Sequence, residues 1–177
     1  QKTGIPVIAL EAYAYAAKVA ERENPRCKIA WTTLAGIGTV ESHNGTYHGA
    51  ELHPNGDALP PIRGVRLDGS NGNLRLPDTD KGVLDGDANQ DRAMGPMQFI
   101  PSTWAVWGNG KDPFDPFAAI DAQGRYMAEV QRLTASLVTS DQQRIEFALA
   151  SYNAGHNVVL AAGGIPAIEE TQNYVRQ

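Results

Sequence analysis

Asp115-Pro116-Phe117-Ala118-Ala119-Ile120, with the residues that follow to Leu133, decides the fold class. Asp115 has the side chain of a helix N-cap, and Pro116 has the fixed φ that suits a first helical position. Behind them Ile120, Tyr126, Met127, Val130 and Leu133 recur at helical intervals, so a long helix is expected. The same signals recur in both directions. Towards the N-terminus, Pro6 to Arg22 reads as a helix that begins on Pro6 and buries Ile8, Ala12, Tyr15, Ala16 and Val19. Ile29 to Val40 reads as a second with Ala30, Leu34, Ile37 and Val40, and its pattern stops at Glu41-Ser42-His43-Asn44-Gly45. That helix should end at Glu41 or within a residue or two. Pro101-Ser102-Thr103-Trp104 starts a short helix. Ser140 with Gln143 makes a capping box before Ile145, Ala148, Leu149 and Tyr152, and Gly155 stops that helix. Gly163-Gly164-Ile165-Pro166 breaks the chain before a last helix from Ala167 to Arg176. The expected class is all-α, or mainly α, with five to seven helices and little or no sheet.

A chain of 177 residues has room for one core, so residues 1–177 are expected to form a single domain. The 42% hydrophobic and 20% charged content excludes a disordered chain, and no run approaches the ~18 apolar residues of a membrane span. The net charge of -5, without a dense basic run, argues against a nucleic-acid partner. Cys27 is the one cysteine, which rules out an intrachain disulfide or a thiolate metal cluster, and it reads as a small semi-buried apolar residue. Glycine is the outlier. Residues 44–92 hold 8 of the 18 glycines, 7 of the 11 aspartates and 4 of the 11 prolines, so a long irregular insertion is expected there. Within it, Val65-Arg66-Leu67 and Leu74-Arg75-Leu76 are candidates for a short hairpin across Asp68 to Asn73. The chain begins at Gln1 without a signal or lipid-attachment pattern and reads as a piece of a longer product.

Several residue groups invite chemistry. Glu41 follows an apolar helical stripe, where a core should open to solvent; burial without a cationic partner would raise its pKa and make it a proton donor. A solvated helix-end glutamate is the plain alternative. His43, His48 and His53 are spaced by five, but Gly45, Gly49 and Pro54 break the segment, so no zinc site is expected. Asp78, Asp80, Asp85, Asp87, Asn89 and Asp91 alternate like the first half of a calcium loop. Neither the twelfth position from Asp78 nor that from Asp85 is a glutamate, and Asx turns give the same pattern without metal. Phe99, Trp104, Trp107, Tyr152 and Tyr174 stand near amides and hydroxyls, as a sugar groove requires, although the two tryptophans read better as core. No Gly-x-Ser-x-Gly motif or phosphate-cradling glycine loop is present.

Glu41-Ser42, Gly95-Pro96-Met97-Gln98-Phe99-Ile100-Pro101-Ser102, Tyr152-Asn153-Ala154-Gly155 and Glu170-Thr171-x-x-Tyr174-Val175 stand in the order found in lytic transglycosylases of the goose-lysozyme-like superfamily. From Arg92 to Trp104 the wording is most similar to the membrane-bound lytic transglycosylase B type in its actinobacterial form. The resemblance runs from about Ile29 to Val175. It implies a lysozyme-like helical fold, Glu41 as catalytic acid, and Ser42, Met97, Gln98, Phe99, Tyr152, Asn153 and Tyr174 along the sugar groove, with Asn89 as a further polar groove residue. The insertion at 44–92 departs from the pattern.

The same resemblance implies the chemistry. Conventional glycosidases use two carboxylates, ~5–5.5 Å apart for retention or ~6.5–9.5 Å for inversion, whereas the motifs here supply one. Glu41 would protonate the bond between N-acetylmuramic acid and N-acetylglucosamine, then act as base on the muramyl 6-hydroxyl to close a 1,6-anhydro ring. No cofactor is implied; calcium on Asp78, Asp80, Asp85 and Asp87 would serve stability at most. The expected partner is peptidoglycan, the expected state a monomer, and the expected place the cell envelope or the exterior. A goose-type muramidase that admits water, and a wall-binding module without catalysis, remain open alternatives.

Overall fold

The computed structural model describes residues 4–27, 29–53, 57–70 and 73–177. Among them are seven α-helices: α1 Val7–Glu23, α2 Trp31–Ser42, α3 Pro101–Trp107, α4 Pro116–Leu133, α5 Asp141–Ala154, α6 His156–Ala162 and α7 Glu169–Arg176. The all-α expectation holds. Helix α4 is the axis of the molecule. It begins as read, with the Asp115 carboxylate accepting from Phe117 N–H and Pro116 in the first turn. Helices α1, α2, α3 and α5 pack against it, and α5 in turn carries α6 and α7. Helices α1 and α4 meet closely at small residues, and a Cβ on Gly124 would make ordinary contact with Ala16, 3.4 Å from its carbonyl oxygen.

The buried face of α1 is Ala9, Ala12, Tyr13, Ala16, Val19 and Ala20. Tyr15, expected inside, is exposed, and Tyr13 is fully buried in its place. The alanines had masked the true stripe, in which Ala9, Tyr13, Ala16 and Ala20 recur at four, three and four. In α2 the buried residues are Leu34, Ala35, Ile37, Gly38 and Ser42, while Ala30 and Val40 face outward. Pro6 is the N-cap rather than the first helical residue. At α5 Ser140 caps as expected, but the Gln143 side chain bonds Thr139 N–H and hydroxyl, one residue earlier than a standard box. Helix α6, after Gly155, had no separate signal.

Residues 44–92 are not wholly irregular. Strand β1 Glu51–Leu52 pairs antiparallel with β2 Ala58–Leu59, and β3 Arg63–Arg66 pairs antiparallel with β4 Arg92–Met94. The hairpin expectation is half met. Leu76 N–H bonds the Leu67 carbonyl and Asp68 bridges Arg75, while its turn at Asn71 and Gly72 lies outside the described residues. The principal partner of the Arg63–Arg66 strand is instead Arg92–Met94, because this pairing anchors the excursion to the core through buried Met94.

The aspartates explain how such a polar segment holds a shape. Asp78 accepts from the N–H groups of Asp80, Lys81 and Gly82, Asp80 from Gly82 and Leu84, and Asp91 from the Thr79 N–H and hydroxyl. These are the Asx-type turns that replace a ladder where no regular element forms. Asp85 accepts from Asp87 and Arg92 N–H. Asp87 pairs with Arg66 at 2.7 Å and Arg92 at 3.1 Å. Its carboxyl is held down at about 2: desolvation pushes it up, and Arg66, the Asn89 N–H and Arg92 outweigh that.

Candidate active site

Glu41 lies in the last turn of α2, half-buried. The chain reverses after it through His43 and Asn44, both in the left-handed region at φ 51° and 58°. Two layers of bonds hold that reversal. Ser42, 1% exposed, donates to the Pro96 carbonyl at 2.6 Å and accepts from Gly45 N–H at 2.8 Å. Behind it Tyr13 donates to Asn44 Oδ1 at 3.0 Å, and Asn44 Nδ2 donates to Thr39 Oγ1 at 3.0 Å. Gly38 permits this, since a Cβ there would collide with the Tyr13 hydroxyl. Tyr13 and Asn44 escaped the sequence reading; the Ala9-Tyr13-Ala16 spacing and the small Gly38 opposite were the available signals.

Tyr174 comes from α7, 133 positions away in sequence, and its hydroxyl donates to Glu41 Oε1 at 2.6 Å. The Glu41 carboxyl is pushed up to about 7. Burial is the main cause; the Tyr174 hydrogen bond pulls down, and the Glu170 carboxylate pushes up again. Glu170 lies one turn before Tyr174 on α7, so the two approach Glu41 from one helical face. Glu170 stands in the last of the four motifs, and the resemblance implies no role for it. Tyr152, on the last turns of α5, donates to the Met97 carbonyl at 2.8 Å. Its phenol is raised well above the usual range by burial and then by the Glu41 charge.

The other groove candidates divide by exposure. Gln98 is half-buried at φ 50°, with its amide donating to the Gly95 carbonyl at 2.8 Å. Asn153 is half-buried, and its Oδ1 accepts from the Thr171 hydroxyl at 2.7 Å, which directs Nδ2 away from that bond. Ser42, Met97 and Phe99 correct the expectation of side chains that touch sugar. Ser42 has both bonds within the protein, and Met97 and Phe99 are 0% and 4% exposed. Phe99 packs on Trp104, Tyr126 and Tyr152 with ring centroids 5.5–6.4 Å apart. Met97 and Phe99 belong to the buried core against which Tyr152 packs. Trp104 is core, donating to the Lys111 carbonyl, and Trp107 leans on Tyr126. Asn89 is exposed within the aspartate loop, bonded to Asp87.

Of the calcium candidates, Asp78 and Asp80 come together with Asp91, their oxygens within 4.8 Å of one another. Asp85 and Asp87 do not join them: Asp85 accepts from the Asp87 and Arg92 N–H groups, and Asp87 is paired with the Arg66 and Arg92 side chains. Six or more oxygen ligands suit calcium, and the three clustered carboxylates already accept from the chain. No histidine joins a metal-ligand group among the described residues; His43 and His48 meet the Tyr47 ring edge-on.

The family model of the transglycosylase SLT domain matches residues 76–175, more than half of the chain. The chain belongs to that family. It is a lytic transglycosylase domain of the lysozyme-like superfamily, an enzyme that acts on peptidoglycan and therefore outside the cytoplasm. No solved structure matches it. No helix among the described residues is long and apolar enough to cross a membrane. The matched segment contains the Gly95-to-Ser102 turn, Tyr152-Asn153 and Tyr174 of this transglycosylase. It begins after Glu41, so the case for Glu41 rests on the resemblance of its motif and on the geometry around it.

Proposed function

We propose that Glu41 is the single acid and base of a transglycosylation that cleaves the N-acetylmuramic acid to N-acetylglucosamine bond and leaves a 1,6-anhydro sugar. One observation carries the proposal: a half-buried carboxyl raised to about 7 and oriented by a 2.6 Å hydrogen bond from Tyr174. A group poised near neutrality gives up a proton and takes one back with little driving force lost in either direction.

In the first step Glu41 gives its proton to the bridging oxygen as the anomeric C–O bond breaks, while the substrate's own N-acetyl carbonyl covers the developing charge. The carboxylate so formed keeps the Tyr174 hydroxyl as donor. It then removes the proton of the muramyl 6-hydroxyl, whose oxygen attacks the anomeric carbon and displaces the acetamido group. Glu41 ends protonated and no water is consumed. Tyr152 and Gln98, held by the Met97 and Gly95 carbonyls, fix the groove beside the carboxylate. Asn153 Nδ2 supplies a donor to the sugar. The B-type subfamily rests on the Arg92-to-Trp104 wording, and the monomer on the single core.

The test is Glu41→Gln on purified sacculi. Loss of turbidity clearance by about 10²-fold or more is expected from removing a general acid. Equal clearance by both proteins would remove Glu41 from the mechanism.

A further inference from the structure

Strand β3 carries a glycine, Gly64, in its interior, where a missing side chain weakens a strand and marks a bulge or a close approach. Arg63 pairs with Met94 and Arg66 with Arg92, so between these pairs Gly64 and Val65 of β3 face the single Ala93 of β4. This is a β-bulge, which bends one strand and re-aims what lies beside it. Here it lies against the Gly95-to-Gln98 turn. Gly95 N–H donates to the carbonyl of Ile62, the residue before β3, at 2.8 Å. A Cβ on Gly64 would stand 2.8 Å from Gln98 Oε1 and 3.1 Å from the Ala93 Cβ. The glycine thus lets the β3 backbone close on the Gln98 carboxamide, where a side chain would push that amide away.

Both partners of the contact are held. Gln98 Nε2 donates to the Gly95 carbonyl at 2.8 Å, which leaves the amide oxygen turned to Gly64. The Gln98 backbone is left-handed at φ 50°, a conformation that a non-glycine residue keeps only where its surroundings over-determine it. On the other side, Arg92 Nη1 donates to the Gly64 carbonyl at 3.1 Å, and Arg92 Nε donates to Asp87 Oδ2 at 3.1 Å. Asp87 is buried and also accepts from Arg66 Nε, at the far end of β3, at 2.7 Å. One carboxylate therefore ties both strands around the bulge with charge-assisted bonds, the stronger kind.

We propose that Gly64 is a positioning residue for substrate binding: the β3 bulge, fixed by Arg92 and Asp87, sets where the Gln98 carboxamide stands in the sugar groove. The proposal rests on the reading of Gln98 as a groove residue, and it gives the excursion at 44–92 a task in that site. Gly64 acts through Gln98 and touches no reacting atom. Gln98 has no proton to transfer, so its grip on the sugar is the same in the ground state and the transition state. Loss of such a grip raises KM and leaves kcat in place. A glycine needed only for the fold of the excursion would lower stability without that split.

The test is a kinetic cycle with the whole chain on soluble, un-cross-linked glycan strands of peptidoglycan. Gly64→Ala should raise KM roughly three- to tenfold, the size of one neutral hydrogen bond, with kcat within about twofold. Gln98→Ala should raise KM by a similar factor, and the double variant should raise it no further, because the same contact is lost. Gly64→Ala is expected to fold, since its Cβ comes closest to the end of a flexible side chain, and the thermal midpoint will report it. Arg92→Gln is the second variant. It releases the Gly64 carbonyl and should raise KM in the wild type but not in the Gln98→Ala background. In the isotopically labelled protein without substrate, the Gln98 side-chain amide resonances should move in Gly64→Ala. KM unchanged in both variants, factors that multiply in the double variant, or unmoved Gln98 resonances would each overturn the positioning role. Those resonances do not depend on turnover, so a failed contact is distinguishable from failure of the Glu41 chemistry, which would show as wild-type enzyme leaving the strands uncut or cutting them by hydrolysis.

Discussion

The Tyr174 hydroxyl and the Glu41 carboxylate, brought to 2.6 Å from opposite ends of the chain, form the hinge of the catalytic account. The hydrogen bond favours the ionised acid, and burial favours the neutral one. Burial wins, so a large fraction of Glu41 is protonated near neutral pH while its anion still has a donor in Tyr174.

Tyr174→Phe should therefore slow turnover and move the alkaline limb of the pH profile upward. A hydrogen bond to a charged group is worth about 1.5–3 kcal/mol, which corresponds to roughly ten- to a hundredfold in rate. The limb rises because the removed bond was lowering the Glu41 pKa. A rate profile on soluble muropeptides between pH 5 and 9 would show it, and a limb displaced downward would contradict the assignment.

Glu170→Gln should displace the same limb in the other sense. Its carboxylate raises Glu41, so its removal lets Glu41 ionise at lower pH. The two variants thus separate in sign. Glu170 is exposed, and solvent and salt screen its influence, so the shift should shrink as ionic strength increases.

The raised carboxyl has a cost in stability with its own pH window. The folded-state pKa is raised from an ordinary 4.5 to about 7, so the stabilisation is complete below 4.5 and is lost as pH rises through 7. At 1.36 kcal/mol per pH unit, the loss is on the order of 3 kcal/mol. Glu41→Gln should match the wild type in thermal midpoint at pH 4 and exceed it at pH 8. Equal midpoints at both values would mean that Glu41 titrates as an ordinary surface glutamate.

Ser42→Ala tests whether the end of α2 and the Gly95-to-Gln98 turn act as one unit. The substitution strands the Pro96 carbonyl and the Gly45 N–H in a buried place. A loss of about 1–3 kcal/mol is expected, together with a fall in kcat that thermal denaturation and kinetics on one preparation would report. Unchanged kcat with lowered stability would confine Ser42 to the fold.

We also propose that calcium is not part of the chemistry. Asp78, Asp80 and Asp91 already shape their loop by accepting backbone N–H groups. Calorimetric unfolding with added calcium and with chelator should give the same midpoint, and sacculus clearance should be equal. A clear upward shift with calcium would assign the cluster a metal.

Local signals with a one-to-one structural consequence were legible in the sequence. Asp115-Pro116 and Ser140 start helices where capping chemistry demands, and Gly155 stops one. Glu41 and Tyr174, which stand in separate motifs, meet in a 2.6 Å hydrogen bond. What the sequence hid was set by packing at long range. Tyr15 and Tyr13 are equally apolar on α1, and the space left by Gly38 on α2 decides which is buried. Met97 and Phe99 stand in a groove motif yet are buried, Phe99 packing between Tyr126 of α4 and Tyr152 of α5. The excursion read as irregular because its order comes from carboxylate-to-backbone bonds, which leave no periodicity in the sequence.

The central claim, that one carboxyl serves as acid and then base without water, is tested most directly by the mass of the products. Digestion of purified peptidoglycan should give muropeptides ending in 1,6-anhydromuramic acid, each lighter by one water than its hydrolytic counterpart. Products that end uniformly in reducing muramic acid would contradict it and make this a hydrolase that uses the same Glu41.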